Sequence, residues 1–260
     1  MTSAHSIRPI YEDNHLLVVN KPAGIATMGA ESGPTVHSLA VEYIRKKYGK
    51  PGKVFLGIVS RLDTVTSGVL VLARTSKAAS RLTPQFGALS QAKKQTAAKN
   101  AVARADKIYL AVVDGKVMPD LGKLSDYVLK DDSARRMRVV SNGVADAKLA
   151  ELDYITIGHK ADATLLAVRL RTGRKHQIRV QFSDRGHCLL GDRKYDSPRT
   201  FGKGIDIALH SWLLQIDHPT KKQRMNFVAP VPPAWKPFEK LLPSETQLRE
   251  TIAEAFAIEV

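Results

Sequence analysis

The chain has 260 residues, 43% of them apolar, enough to bury a core in one large domain or two small ones. Forty Lys and Arg against 25 Asp and Glu leave a formal charge of +15, which favours polyanionic partners and says nothing about fold. Cys188 is the single cysteine, which excludes an intramolecular disulfide and a multi-thiolate zinc site. No apolar run approaches the roughly 18 residues of a membrane span, and MTSAHSIRPIYED lacks a signal-peptide pattern. Nucleic acid is therefore the leading partner class, the expected compartment is cytoplasmic, and no membrane association is expected.

After a short N-terminal arm, LLVVN (16–20) reads as a buried strand stopped by Pro22 and Gly24. Val36, Leu39, Ala40, Tyr43 and Ile44 recur at helical spacing behind Thr35 as N-cap, with Gly49 as terminator. FLGIV (55–59) and GVLVLA (68–73) read as strands on either side of SRLDTVTS, and a helix is expected over about 76–86. Residues 87–106 are rich in Ala, Gln and Lys with little apolar periodicity, and read as a mobile insertion whose Lys93, Lys94, Lys99 and Arg104 either track phosphates or form a solvated face.

From Lys107 the chain becomes strand-rich, with alternating stretches near 107–117, 123–129, 136–140, 147–157 and 163–170 separated by turn glycines, the pattern of an antiparallel sheet built from hairpins. In LRTGRKHQIRVQF, Thr172 and Gly173 are expected to cap a helix that buries Ile178 and Phe182. IALHSWLLQI supplies a last strand, and a C-terminal helix runs over about 245–256. The expected architecture is one α+β domain over 1–243, with a mixed, largely antiparallel sheet, flanking helices and a central basic cleft, and with 244–260 packed on it or trailing.

Three polar groups stand beside apolar strands: Asp63 with Arg61, Tyr109 in KIYLAVV, and His176 with Arg179 in GRKHQIRV. Each also has an ordinary structural explanation, as turn cap, satisfied core hydroxyl or surface cation. The ordered blocks YEDNHLLVVNKPAG, SRLDTVTSGVLVLA, KIYLAVVDG, LRTGRKHQIRVQFSDRGHCLLGDRKYD and IALHSWLLQIDHP resemble the RluA-type RNA pseudouridine synthases, from Ile7 to about Phe238. The resemblance implies an isomerase that turns uridine into pseudouridine in RNA, either rRNA or tRNA, without metal or other cofactor. It casts Asp63 as nucleophile, Tyr109 as the residue stacking on the target base and assisting proton removal, and Arg179 as the partner of the catalytic carboxylate. Arg61, Leu170, Arg174, Lys175, His176 and Gln177 fall in the matching blocks as substrate-binding residues. A monomer without an obligatory protein partner is expected. The alternative is a non-catalytic RNA-binding protein of the same fold.

The chemistry explains those residue types. Moving the bond of ribose C1′ from N1 to C5 of uracil requires an anionic nucleophile that bonds for a time and leaves, as carboxylates do in glycosidases. Desolvation favours the neutral acid, and a neighbouring guanidinium favours the anion. Ser60 departs from the family's usual His before RLD, which bears on the range of targets. The catalytic pattern begins by Tyr11, so no S4 RNA-binding module is expected ahead of it. RNA affinity is expected to come from the cleft and from Lys21, Arg174, Lys175, Arg185, Arg193, Lys194, Lys221, Lys222 and Arg224.

Overall fold

One mixed sheet runs through the whole protein in the order β1-β2-β4-β10-β5-β9-β8-β6-β7, with β3 and β11 as side strands. The computed structural model describes residues 7–49, 51–87, 104–202, 204 and 206–260. The first half of the sheet holds β1 (Pro9–Glu12), β2 (Leu16–Lys21), β3 (Gly57–Ile58) and β4 (Ser67–Ala73). The second half holds β5 (Asp106–Asp114), β6 (Leu121–Asp131), β7 (Arg136–Val140), β8 (Lys148–Lys160) and β9 (Ala163–Leu170). β10 (Leu209–Asp217) joins them and carries β11 (Arg224–Val228) on its edge.

β2 and β4 are buried on both faces, which is why their sequences are continuous apolar runs rather than alternating ones. Leu17, Val19, Leu70 and Leu72 pack against α1 (Val36–Lys47), whereas Leu16, Val18, Val69 and Val71 pack toward α2 (Ser76–Leu82). The Thr35 hydroxyl accepts from the Ser38 amide at 3.0 Å and Ser38 Oγ accepts from the Thr35 amide at 2.9 Å, a reciprocal cap that starts α1.

In the second half the strands alternate. Ile108, Leu110 and Val112 face the rear, where α4 (Glu245–Phe256) buries Leu248, Ile252 and Phe256, each worth about 2 kcal/mol of apolar burial. Tyr109, Ala111 and Val113 face forward against Ile178 and Phe182 of α3 (Gln177–Ser183). That alternation decides which β5 residues can reach the cleft.

The expected α+β class and sheet are present, with local corrections. The strand expected over 55–59 shrinks to Gly57–Ile58 because the free edge of β4 is shared: β3 takes only Leu72 and Ala73, while β10 takes Ser67 and Gly68. β1 and β11 were not foreseen. The helix expected over 76–86 ends at Leu82 and tightens into a 3-10 turn over Thr83–Phe86, where Pro84 supplies no amide hydrogen. Thr172 and Gly173 do not cap α3; His176, in the left-handed region at φ 52°, is its N-cap. Within the expected insertion, residues 88–103 and with them Lys93, Lys94 and Lys99 lie outside the described residues, and its flanks meet where the Ala105 amide donates to Gln85 O at 3.0 Å. No helix among the described residues is long and apolar enough to cross a membrane.

Candidate active site

Asp63 lies in the connection between β3 and β4, held by the segment that follows β2. The Thr27 hydroxyl donates to Leu62 O at 2.9 Å and accepts the Leu62 amide at 3.2 Å. One residue beyond Asp63, Thr64 O accepts from the Gly24 amide at 2.8 Å and from Lys21 Nζ at 3.1 Å. Lys21 is 0% exposed, and its other two N–H bonds go to Pro22 O and Ile25 O. Burial pushes its ammonium down to about 7, with Asp63 pulling the other way. Lys21 therefore belongs to the interior brace of the Asp63 loop, and the expectation that it helps grip RNA is wrong.

The second half of the sheet supplies the countercharge. Arg179, on α3, donates through Nη1 to Asp63 Oδ2 at 3.0 Å, and through Nε and Nη2 to Oδ2 and Oδ1 of Asp192 at 2.6 and 2.7 Å. Asp192 is 1% exposed and bound by both oxygens. The Asp63 side chain is 29% exposed, and its Oδ1 has no protein partner among the described residues. A buried bidentate pair thus fixes the guanidinium in one plane, leaving its third edge to hold a carboxylate at the cleft.

His176 borders the same carboxylate, Nε2 to Oδ2 3.7 Å, while its Nδ1 meets the Tyr195 hydroxyl at 3.0 Å. That hydroxyl also accepts the Met137 amide at 3.0 Å; when it gives its own proton to Nδ1, the imidazole proton sits on Nε2, toward Asp63. Burial pushes His176 down to about 4, with Asp63 opposing and Arg179, Lys175 and Lys194 adding to the fall. The ring is neutral at pH 7.

Tyr109 reaches the site through an unusually close strand junction. β4 and β10 pair in parallel only through Ser67 with His210 and Gly68 with Ser211, and on its other side Ser211 pairs with Tyr109 of β5. Gly68 has φ +116°, and a Cβ there would lie 2.2 Å from Ser211 O, so glycine is required for the two halves to meet. Burial pushes the Tyr109 hydroxyl up to about 12, the neighbouring Ser211 side chain pulling it back and Asp63 raising it further. Asp63, Tyr109 and Arg179 line one cleft of about 970 Å³, a size within the upper range for small-molecule sites.

Arg61, exposed and unpaired among the described residues, lines the same cleft with Leu170, Arg174, Lys175 and His176. Arg174 also donates through Nε to Leu149 O at 2.8 Å. Gln177 departs from its expected role as a substrate contact. Although it borders the cleft, its Oε1 accepts from the Thr172 hydroxyl and the Arg174 amide, and its Nε2 donates to Glu151 O. It braces the turn instead. Arg185 is taken up by Asp126, and Arg224 by Asp106 and Asp217, so neither is an uncommitted RNA-facing cation. Sequence reasoning missed Asp192 and Tyr195, both in the block LLGDRKYD; their short spacing from GRKHQIR was the available signal.

Residues 15–184 match the family described as RNA pseudouridylate synthase. The Ribosomal large subunit pseudouridine synthase D of Zymomonas mobilis is 35% identical over 235 residues, spanning 86% of this chain and 68% of that protein. The Dual-specificity RNA pseudouridine synthase RluA of Escherichia coli is 32% identical over 222 residues, spanning 85% of this chain and 91% of that one. The solved structure of Human RNA Pseudouridylate Synthase Domain Containing 1 shares the fold at TM-score 0.68 and 21% identity, covering 100% of this chain and 98% of its own. With this sequence likeness over most of its length and the matching fold, the chain belongs to the RNA pseudouridylate synthase family, among its RluA-type isomerases.

Proposed function

We propose that the cleft isomerises a uridine of large-subunit ribosomal RNA that is turned out of its stack, with Asp63 as nucleophile. The observation that carries this reading is the carboxylate itself: Asp63 presents one oxygen to the cleft while the other is held by a guanidinium locked onto Asp192. The ribosomal substrate rests on the names of the relatives, and tRNA is the second substrate to test.

A carboxylate at a site facing polyanionic RNA would repel its ligand unless surrounding cations outweigh it; Arg61, Arg174, Lys175, Arg193 and Lys194 line the same cleft. Asp63 bonds to C1′ as the bond to N1 breaks, or adds to C6 of the base. In the first route the uracil leaves C1′ as an anion and turns; in the second it parts from C1′ and turns while bonded to Asp63 through C6. C1′ then bonds to C5, the carboxylate leaves, the C5 proton departs and N1 takes up a proton. Arg179 remains charged throughout and stabilises the departing carboxylate. Tyr109, protonated at neutral pH because burial holds its hydroxyl near 12, stacks on the base and can take the C5 proton only by passing its own onward. Turning the base out costs a few kcal/mol, less in a loop than in a duplex, and stacking on Tyr109 offsets part of it.

The test follows from the displaced hydrogen. Unmodified rRNA and tRNA transcripts carrying tritium at uridine C5 are expected to release it to water with the wild-type protein, and Asp63→Asn is expected to bind the RNA while releasing tritium at least about a thousandfold more slowly. Binding without release by the wild type would identify a non-catalytic RNA binder, and release of free uracil would identify a glycosidase. An Asp63→Asn protein with near-normal turnover would remove the nucleophile from this scheme.

A further inference from the structure

Lys107 lines the cleft, yet none of the chemistry above uses it. Alternation along β5 separates it from its neighbours: Asp106 turns to the rear, where it binds Arg169 and Arg224, and Ile108 enters the rear core, whereas Lys107 shares the forward face with Tyr109. A Cβ placed on Gly173 would lie 3.5 Å from Lys107 Nζ, so the ammonium rests against the turn that leads into Arg174 and Lys175.

The ammonium has no protein anion. All 25 Asp and Glu residues of the chain are among the described residues, and none comes within 4.0 Å of it. No described carbonyl or hydroxyl accepts a hydrogen bond from it either. Burial pushes Lys107 down to about 8, Asp106 opposing and Arg104 adding to the fall. A half-buried cation without a partner is a standing desolvation loss that an incoming anion would relieve.

We infer that Lys107 binds a backbone phosphate of the RNA next to the uridine that stacks on Tyr109. This rests on the RNA-isomerase reading of the cleft. Residues two apart on a strand are about 6.8 Å apart, a separation one nucleotide spans with its base at one end and its phosphate at the other. A compact ammonium suits a phosphate oxygen as a point charge, and the bound nucleotide is thereby held at both ends.

A synthetic RNA stem-loop with a uridine-rich loop serves as the probe, titrated against wild type, Lys107→Met and Lys107→Arg over a range of salt concentrations. Lys107→Met keeps the apolar stem and is expected to bind about ten- to a hundredfold more weakly at low salt. Its log–log salt slope should be shallower by about 0.7–0.9, and Lys107→Arg should restore most of both. Replacing the loop phosphates by uncharged methylphosphonates should weaken wild type and Lys107→Arg more than Lys107→Met. An unchanged salt slope in Lys107→Met, or equal sensitivity of all three proteins to methylphosphonates, overturns the assignment. Should Lys107→Met fail to fold, the neutral-backbone RNA still decides: no loss of affinity with wild type and Lys107→Arg also overturns it. Tritium release reports separately on catalysis, so a wild type that binds with the expected slope but releases none would refute the isomerase reading and leave the phosphate contact standing.

Discussion

Two arginine–aspartate networks lie on opposite faces of the same strands. At the rear, both oxygens of Asp106 are covered, Oδ1 by Arg169 at 2.9 and 2.5 Å and Oδ2 by Arg224 at 2.6 Å, while Arg169 Nη1 donates to Phe256 O and so ties α4 to the sheet. At the front, one arginine serves two carboxylates: Asp192 is fully bound and Asp63 keeps an oxygen open to the cleft. Arg and Asp are the components in both places, and the count of partners separates them. A network with every polar edge used contributes to holding elements together, whereas one with a carboxylate edge left over, among cations, has a reagent to offer.

The sharpest way to break that distinction is to remove the shared arginine. Arg179→Met leaves Asp192 buried without a countercharge and is expected to cost about 3–5 kcal/mol in urea unfolding, together with nearly all tritium release. Adding Asp192→Asn should recover much of the stability, since no isolated buried charge remains, without recovering turnover. If the double variant regained activity, Arg179 would serve only to neutralise Asp192.

A smaller effect concerns a buried histidine where the two halves of the sheet join, packed against Trp235. Burial pushes His210 down to about 4; its Nδ1 meets the Ser67 hydroxyl at 2.8 Å and its Nε2 meets Ala229 O at 3.0 Å, beside the junction of β4 and β10. Because the folded value lies below the unfolded one, the unfolded chain binds the proton first as pH falls. The stability contribution is complete above about pH 6.5 and is lost between there and about pH 4, amounting to about 2 kcal/mol at pH 5. Urea midpoints measured from pH 7.5 to 5 should fall, and His210→Asn should make that fall shallower. An identical pH slope in the variant would assign the acid sensitivity elsewhere.

The smallest effect is expected at the rear. Asp106→Asn keeps an acceptor for the buried Arg169 and the partly exposed Arg224 and should cost about 1 kcal/mol, with tritium release within about twofold of wild type. A large activity loss without unfolding would show that the two faces are coupled through β5, and the division between them would fail.

Much of the site was legible because its residues interrupt regular patterns. A carboxylate ahead of the apolar run VLVLA, a tyrosine within KIYLAVV and an arginine in HQIRV each stand out against a buried element, and their order along the chain resembles one enzyme family. What stayed hidden had no such contrast. Lys21 reads as a loop cation and proves to be an interior brace, because three backbone carbonyls converge on its amine. Gln177 reads as a ligand contact and is consumed by its own turn. Asp192 lies in a hydrophilic stretch that resembles surface and is almost completely buried.

By itself the sequence determined the alternation of strands, the cap and length of α1, the span of α4 and the residue types able to perform the chemistry, since these depend on neighbours a few positions apart. The tertiary structure decided which charges are committed and which are free. That depends on contacts between residues such as Asp63 and Arg179, which are 116 positions apart in the chain and are brought together across the junction where Gly68 lets β4 press against β10. A charge's role is set by how many partners reach it in space, and local sequence spacing does not encode that number.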